Sequence, residues 1–229
     1  MTEHQEKTLA PVGFFAGMPE SLRRGLQKIA TEKIFSKGEM IFYEGDESLG
    51  FYLLVSGLIK IYKVSPEGKE QILQFIRPNE TFGEVVVFSG KSFPANAEAV
   101  RESRTLHFPR KRFLEFIRNN PNVALTMLAI LSERLRRFTV QVENLSLKEV
   151  PGRLATYFLY LSRQEDKGDA FTLEISKGQL ASLLGTIPET LSRILTRMKE
   201  YGIIDVNGNH IRLLDFPRLI SLSQGDKLG

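Results

Sequence analysis

The 229-residue chain contains no cysteine. That absence removes disulfides, thiolate zinc sites, Cys-ligated iron–sulfur clusters and thiol redox switches. Histidine is scarce, with only His4, His107 and His210. So few imidazoles, so widely scattered, form no nucleophile–base pair or metal-ligand spacing, and no enzyme is expected. Long hydrophobic runs are missing as well. The most apolar stretch, residues 123–131, is far short of a membrane span. Residues 1–7 are polar and lack the apolar core of a signal peptide. A soluble cytoplasmic protein with no membrane partner is expected. Nor is there a large excess of one charge, since 31 Lys and Arg oppose 27 Asp and Glu. Within residues 150–229 the balance is ten to nine. A nucleic-acid partner would therefore have to be met by local placement of charge.

What is present falls into three textures. Residues 19–30 carry Leu22, Leu26 and Ile29 at helical spacing and read as a short amphipathic helix. From Lys33 to Phe108 short apolar runs alternate with glycines: 32–35, 40–43, 51–55, 58–64, 71–76 and 105–108. The period-two pattern of Leu58-Ile59-Lys60-Ile61-Tyr62-Lys63-Val64 suits a strand with one wet face. Runs spaced this regularly predict an antiparallel sandwich or roll. Pro66-Glu67-Gly68-Lys69 is a hairpin turn, because proline presets φ and glycine tolerates positive φ.

The third texture is helical. Over residues 122–145, Leu128, Leu131, Leu135, Phe138, Val142 and Leu145 are spaced 3-4-3-4-3, a heptad seam. Glu133, Arg134, Arg136, Arg137, Gln141 and Glu143 cover the other face, so the apolar stripe is narrow and predicts a two-helix coiled coil between subunits. Glu149-Val150-Pro151-Gly152 interrupts the pattern, because proline is tolerated only in a helix's first turn. A hinge near Lys148–Glu149 and a new helix to about Arg163 follow. The loop 164–170 is polar, and 172–175 reads as a strand. The resulting α+β organisation has three parts: an arm and β-roll (1–118), a dimerisation helix and hinge (119–148), and a C-terminal domain (149–229).

Residues 175–215 carry the most information. Ser176-Lys177-Gly178-Gln179 is a capping-box pattern opening a helix through Leu184. Gly185 turns the chain, and Thr186-Ile187-Pro188-Glu189 starts a second helix with proline in its first turn. Leu191, Ile194, Leu195 and Met198 form its core face; Glu189, Ser192, Arg193, Thr196 and Arg197 lie opposite. Two short strands flank Asn207-Gly208-Asn209, a type I′ hairpin signal, and form a wing. In a helix-turn-helix the start of the second helix meets base edges in the major groove. Arginine can grip guanine, glutamate can accept from cytosine, and serine adapts. Glu189, Ser192 and Arg193 are the candidate base readers, with Arg197 and Lys199 further along on phosphates. Ser176, Lys177, Thr190 and Thr196 complete the candidate DNA face. Glu189 has an alternative role, folding back as the partner of a Thr186 cap.

Over residues 14–214 the chain resembles the CRP/FNR family of transcription regulators. The resemblance rests on the glycine-spaced roll, on Phe82-Gly83-Glu84, on Glu149-Val150-Pro151-Gly152-Arg153 after the long helix, and on the run from Gly185 through Pro188-Glu189-Thr190-Leu191-Ser192-Arg193 to Leu195. It implies a cyclic-nucleotide-binding-type β-roll, a dimer helix and a C-terminal winged helix. It also implies a homodimer on a palindromic site and RNA polymerase as a partner. In cyclic-AMP-binding members, Arg and then Ser or Thr follow the Gly-Glu glutamate by ten residues and grip the phosphate. Here those positions are Pro94 and Ala95, which offer no charged fork. The dimer-helix position that is usually polar for the base is Phe138. Cyclic AMP is therefore not the expected effector, a cyclic-AMP-type activator or a non-DNA regulatory module being the alternatives. Glu84, without an arginine partner in the cassette, is expected to act as a structural acceptor.

The Glu189-x-x-Ser192-Arg193 face is similar to that of the oxygen-sensing FNR branch and implies TTG-containing half-sites. That branch's Cys-ligated cluster is impossible here. Gly90-Lys91-Ser92-Phe93-Pro94-Ala95-Asn96-Ala97 is similar to the DNR and HcpR subgroups, which respond to nitrosative stress and for which haem has been implicated. The effector pocket implied is Phe82, Gly83, Glu84, Pro94, Ala95, Met127 and Phe138. His4, His107 and His210 are read as surface residues, His107 facing solvent between Leu106 and Phe108.

Overall fold

The computed structural model describes residues 15, 18–47, 49–163 and 168–228. His4 and loop residues 164–167 lie outside them. The chain divides into two compact units, Met1–Arg134 and Leu135–Gly229.

In the first unit α1 (Glu20–Ile29) buries Leu26 and leads into an antiparallel sheet. Its strands are β1 (Thr31–Phe35), β2 (Met40–Phe42), β3 (Gly50–Val64), β4 (Glu70–Ile76), β5 (Thr81–Phe82) and β6 (Asn96–Pro109). The order is β1-β6-β3-β4, with β2 on β6 and β5 on β3. Helices α2 (Val85–Ser89) and α3 (Arg110–Asn119) precede and follow β6. The runs 51–55 and 58–64 are one strand, not two. β6 pairs with both halves of β3, and the ladder absorbs the break at Gly57 through register shifts between Leu54 and Ile59. β6 also begins far earlier than the expected 105–108. Its first half hides Ala97 and Ala99, fully buried residues whose small side chains give little strand signal.

Aromatic rings fill the roll. Phe42 stacks on Phe93 at 3.6 Å, Tyr52 on Phe82 at 5.2 Å and Phe51 on Phe108 at 4.9 Å. One buried cation crosses the sheet. Lys60 of β3 reaches Glu70 of β4 at 2.7 Å and Glu98 of β6 at 3.1 Å, so its charge is compensated from both neighbouring strands.

Helix α4 (Pro121–Leu147) runs for 27 residues across the boundary between the units. Val123 and Met127 are buried in the roll core, with Ile130 packed against it. The predicted seam lies on a different face: Leu128, Leu135 and Val142 are 59%, 69% and 62% exposed.

The second unit opens with α5 (Val150–Arg163), Pro151 in its first turn. Arg153 donates to the Lys148 carbonyl at 2.7 Å, binding the break to the helix that follows. β7 (Ala170–Thr172), β9 (His210–Leu213) and β8 (Ile204–Asn207) form a small sheet in that order. The strand expected at 172–175 lies earlier; Leu173 and Ile175 are buried but outside the ladder. α6 (Lys177–Leu183), α7 (Pro188–Glu200) and α8 (Phe216–Ser223) complete the unit.

Candidate nucleic-acid interface

The capping box forms as its residue types require: Ser176 Oγ accepts from the Gln179 N–H at 3.1 Å, and Gln179 Oε1 accepts from the Ser176 N–H at 2.9 Å. After α6, the Thr186 N–H donates to the Ala181 carbonyl at 3.0 Å and closes the turn. α7 then starts at Pro188 with Ile187 as its cap, so the fold-back of Glu189 onto a Thr186 cap does not occur. Glu189 is left exposed at a helix N-terminus, where its charge complements the dipole.

Leu191 and Met198 are fully buried and Ile194 and Leu195 nearly so, which fixes the rotation of α7. Glu189, Ser192, Arg193, Thr196, Arg197 and Lys199 are consequently exposed, while Thr190 is half-buried on the flank and accepts from Arg193 at 3.2 Å. Pro188, Glu189, Ser192 and Arg193 line an open concavity at the start of the helix. Ser176 and Lys177 are exposed at the start of α6. The two basic residues further along are held by neighbours. Lys199 pairs with Asp205 of β8 at 2.9 Å and lowers that carboxyl's pKa by hydrogen bond and charge. Arg197 donates to the Leu228 carbonyl at 2.6 Å. The wing hairpin pairs Asn207 with His210. Gly208 has φ of +61° and Asn209 does not share a positive φ, so the turn is of the II′ pattern rather than the expected I′.

The other set of predicted residues is only partly gathered. Phe82, Ala95 and Met127 belong to one core cluster, Glu84 is fully buried, Gly83 is half-buried and Pro94 is exposed. Phe138 lies in the second unit, half-buried on α4. The cassette supplies Glu84 with no arginine, but the long helix does. Arg134 of α4 forms an ion pair with Glu84 Oε1 and donates to the Thr81 carbonyl at 2.7 Å. Glu84 Oε2 is buried without a hydrogen-bond partner. The only cation placed at Pro94 is Lys63, which reaches the Pro94 carbonyl at 3.1 Å and pairs with Glu44, among the described residues. His107 faces solvent only in part. It is half-buried beside Tyr52, ring centroids 4.9 Å apart, and burial together with the Lys33 charge pushes its pKa down to about 4. Sheet pairing on both sides, with β1 and with β3, is the reason.

Comparison with known proteins agrees with this geometry. The cyclic nucleotide-binding domain family matches residues 32–120, and the Crp-like helix-turn-helix domain family matches residues 152–222. The Cyclic AMP receptor protein of Thermus thermophilus is 31% identical over 193 residues, covering 84% of this chain and 88% of that protein. The chain belongs to the CRP/FNR family. This member is thus a DNA-binding transcription regulator and not an enzyme. The CRP-like cAMP-activated global transcriptional regulator of Mycobacterium tuberculosis is 28% identical, covering 93% of this chain and 97% of that protein. The structure of FixK2 from Bradyrhizobium japonicum is 28% identical with a TM-score of 0.76, covering 87% of this chain and all of that one. No helix among the described residues is long and apolar enough to cross a membrane.

Proposed function

We propose that this regulator acts in the cytoplasm as a homodimer on a palindromic site with TTG-containing half-sites, gated by a small-molecule signal other than cyclic AMP. The observation that carries the DNA reading is the rotation of α7, whose buried Leu191 and Met198 leave Glu189, Ser192 and Arg193 together around one concavity. Arg193 reads the guanine of TTG, and Glu189 and Ser192 read its neighbours. Ser176, Lys177, Thr190 and Thr196 border them, and RNA polymerase is the partner of the bound dimer. The uncovered Leu128, Leu135 and Val142 supply the subunit seam, with Leu131, Phe138 and Leu145 interleaved.

Arg193→Ala tests the placement. It should cost roughly 1–3 kcal/mol per half-site and relax preference at one base pair. Equal losses on cognate and scrambled duplexes would make Arg193 a phosphate contact and refute the assignment.

The case against cyclic AMP is electrostatic. A bound cyclic phosphate needs donors, yet Ala95 is buried, Pro94 has no N–H, and Lys63 is already paired with Glu44. Calorimetry should give no stoichiometric binding of cyclic AMP or cyclic GMP; a low-micromolar dissociation constant for either would overturn this. The nitrosative-stress reading rests on the cassette motif alone. Among the described residues the candidates do not fit haem as placed: His107 packs on Tyr52, and Met127 is buried in the roll core. His210 is spent on Thr172 at 2.8 Å.

A further inference from the structure

Across residues 176–200, which hold both α6 and α7, a single large apolar side chain is left exposed. Ile187 is 47% exposed, whereas Leu180, Leu191 and Met198 are fully buried. Ile187 is also the N-cap of α7, with φ of −105° and ψ of 154°, and it makes no side-chain cap hydrogen bond. That position favours Ser, Thr, Asn or Asp, whose oxygen accepts from the first free N–H groups of the helix, and isoleucine is among its poorest occupants. The residue departs from local preference twice, by exposing an aliphatic group and by leaving the cap unmade. Departures of this kind concentrate at functional positions.

The side chain is held stiffly where it stands. Pro188 follows it and confines its backbone to the extended region, and its branched Cβ restricts χ1. Upstream, the Thr186 N–H donates to the Ala181 carbonyl at 3.0 Å; downstream, the Leu191 N–H donates to the Ile187 carbonyl at 3.1 Å. Pro188 is itself exposed and lines the concavity with Glu189, Ser192 and Arg193. The tip of α7 therefore presents an apolar edge, Ile187 and Pro188, beside a polar one. Hydrogen-bonding groups on the base edges suit the polar side. The C5-methyl of thymine is the one apolar group that a base edge offers in the major groove.

We infer that Ile187 is a further specificity residue, which reads the C5-methyl of a thymine in the half-site. The inference rests on the DNA reading above and adds an apolar contact to the hydrogen bonds of Glu189, Ser192 and Arg193. A stiff side chain loses little freedom on docking, so most of the methyl burial appears as discrimination. The test uses the full chain and a duplex enriched by the wild-type protein from a random pool. Each thymine of the half-site is replaced in turn by deoxyuridine, which removes only the methyl, and affinities are compared by electrophoretic titration. At one thymine the wild-type protein should bind the deoxyuridine duplex about fourfold more weakly per half-site. Ile187→Ala and Ile187→Ser should bind the two duplexes equally at that position, and Ile187→Val should keep most of the preference. Each ratio is taken with one protein, so any loss of folded material cancels. Preference for the guanine read by Arg193 should be unchanged in all three variants. No thymine preference in the wild type, or a preference that survives in both Ile187→Ala and Ile187→Ser, would overturn the inference and leave the DNA reading intact. Failure of the wild-type protein to enrich any duplex would overturn both.

Discussion

Glu84 and Arg134 show how much one pair can hide from a linear reading. The Glu84 carboxylate is fully buried, and its compensating charge comes from a different element, fifty positions along the chain. The cassette ten residues away holds Pro94 and Ala95 and so offers no arginine, and nothing in the linear pattern points to position 134. Only the packing of Val123 and Met127 turns Arg134 toward the roll, because the three residues share one face of α4. Truncating one partner of such a pair leaves an uncompensated buried charge. Arg134→Ala should therefore lower the unfolding free energy by about 3–5 kcal/mol, measured by urea denaturation of the first unit's transition. The double variant Arg134→Met, Glu84→Gln should recover most of that loss, since neither side chain then carries a charge into the interior. A single variant within about 0.5 kcal/mol of wild type would show that the ion pair does not hold this part of the fold together.

At the scale of elements, legibility followed the strength of the local signal. The capping box at Ser176, the proline-led start of α7 and the break at Glu149–Pro151 all form as read, because each is decided by neighbours in sequence. Strands were harder. β6 was seen only at its aromatic end, since Ala97 and Ala99 earn their burial from partners on β2 and β3 rather than from any intrinsic preference. α3 and the segment after α8 carried no signal that was recognised, their places being set by tertiary contacts. The heptad on α4 was legible as periodicity, and the structure adds that its residues are separate from the face spent on the roll. Leu135 is 69% exposed in the single chain, a large apolar area with no partner of its own. Leu135→Asp should convert the dimer to monomers, because pairing would bury an unpaired carboxylate. Sedimentation at micromolar concentration reads this directly. A wild-type protein that sediments as a monomer, or a dimeric Leu135→Asp, would assign the seam to some other contact.

For the whole molecule, symmetry joins the seam to the reading helix. The proposed two-fold dimer would present the same surface from each subunit, so two copies of α7 would face the DNA in opposite senses and the proposed site is an inverted repeat. Each α7 has a fixed rotation in its own unit, set by Leu191, Ile194, Leu195 and Met198. The pair can therefore engage adjacent major grooves only when the half-sites lie about one helical turn apart on one side of the duplex. Spacing then becomes a test of the assembly that no single-residue variant provides. Inserting about five base pairs between the half-sites turns them to opposite sides of the helix while leaving every base contact available in isolation. Affinity should fall to that of a single half-site, and inserting about ten should recover part of it at the cost of reach. Electrophoretic titration of the three duplexes distinguishes the cases. Equal affinity for all three would mean that each subunit binds independently, and neither the coiled-coil seam nor the palindrome would then describe how this regulator reads DNA.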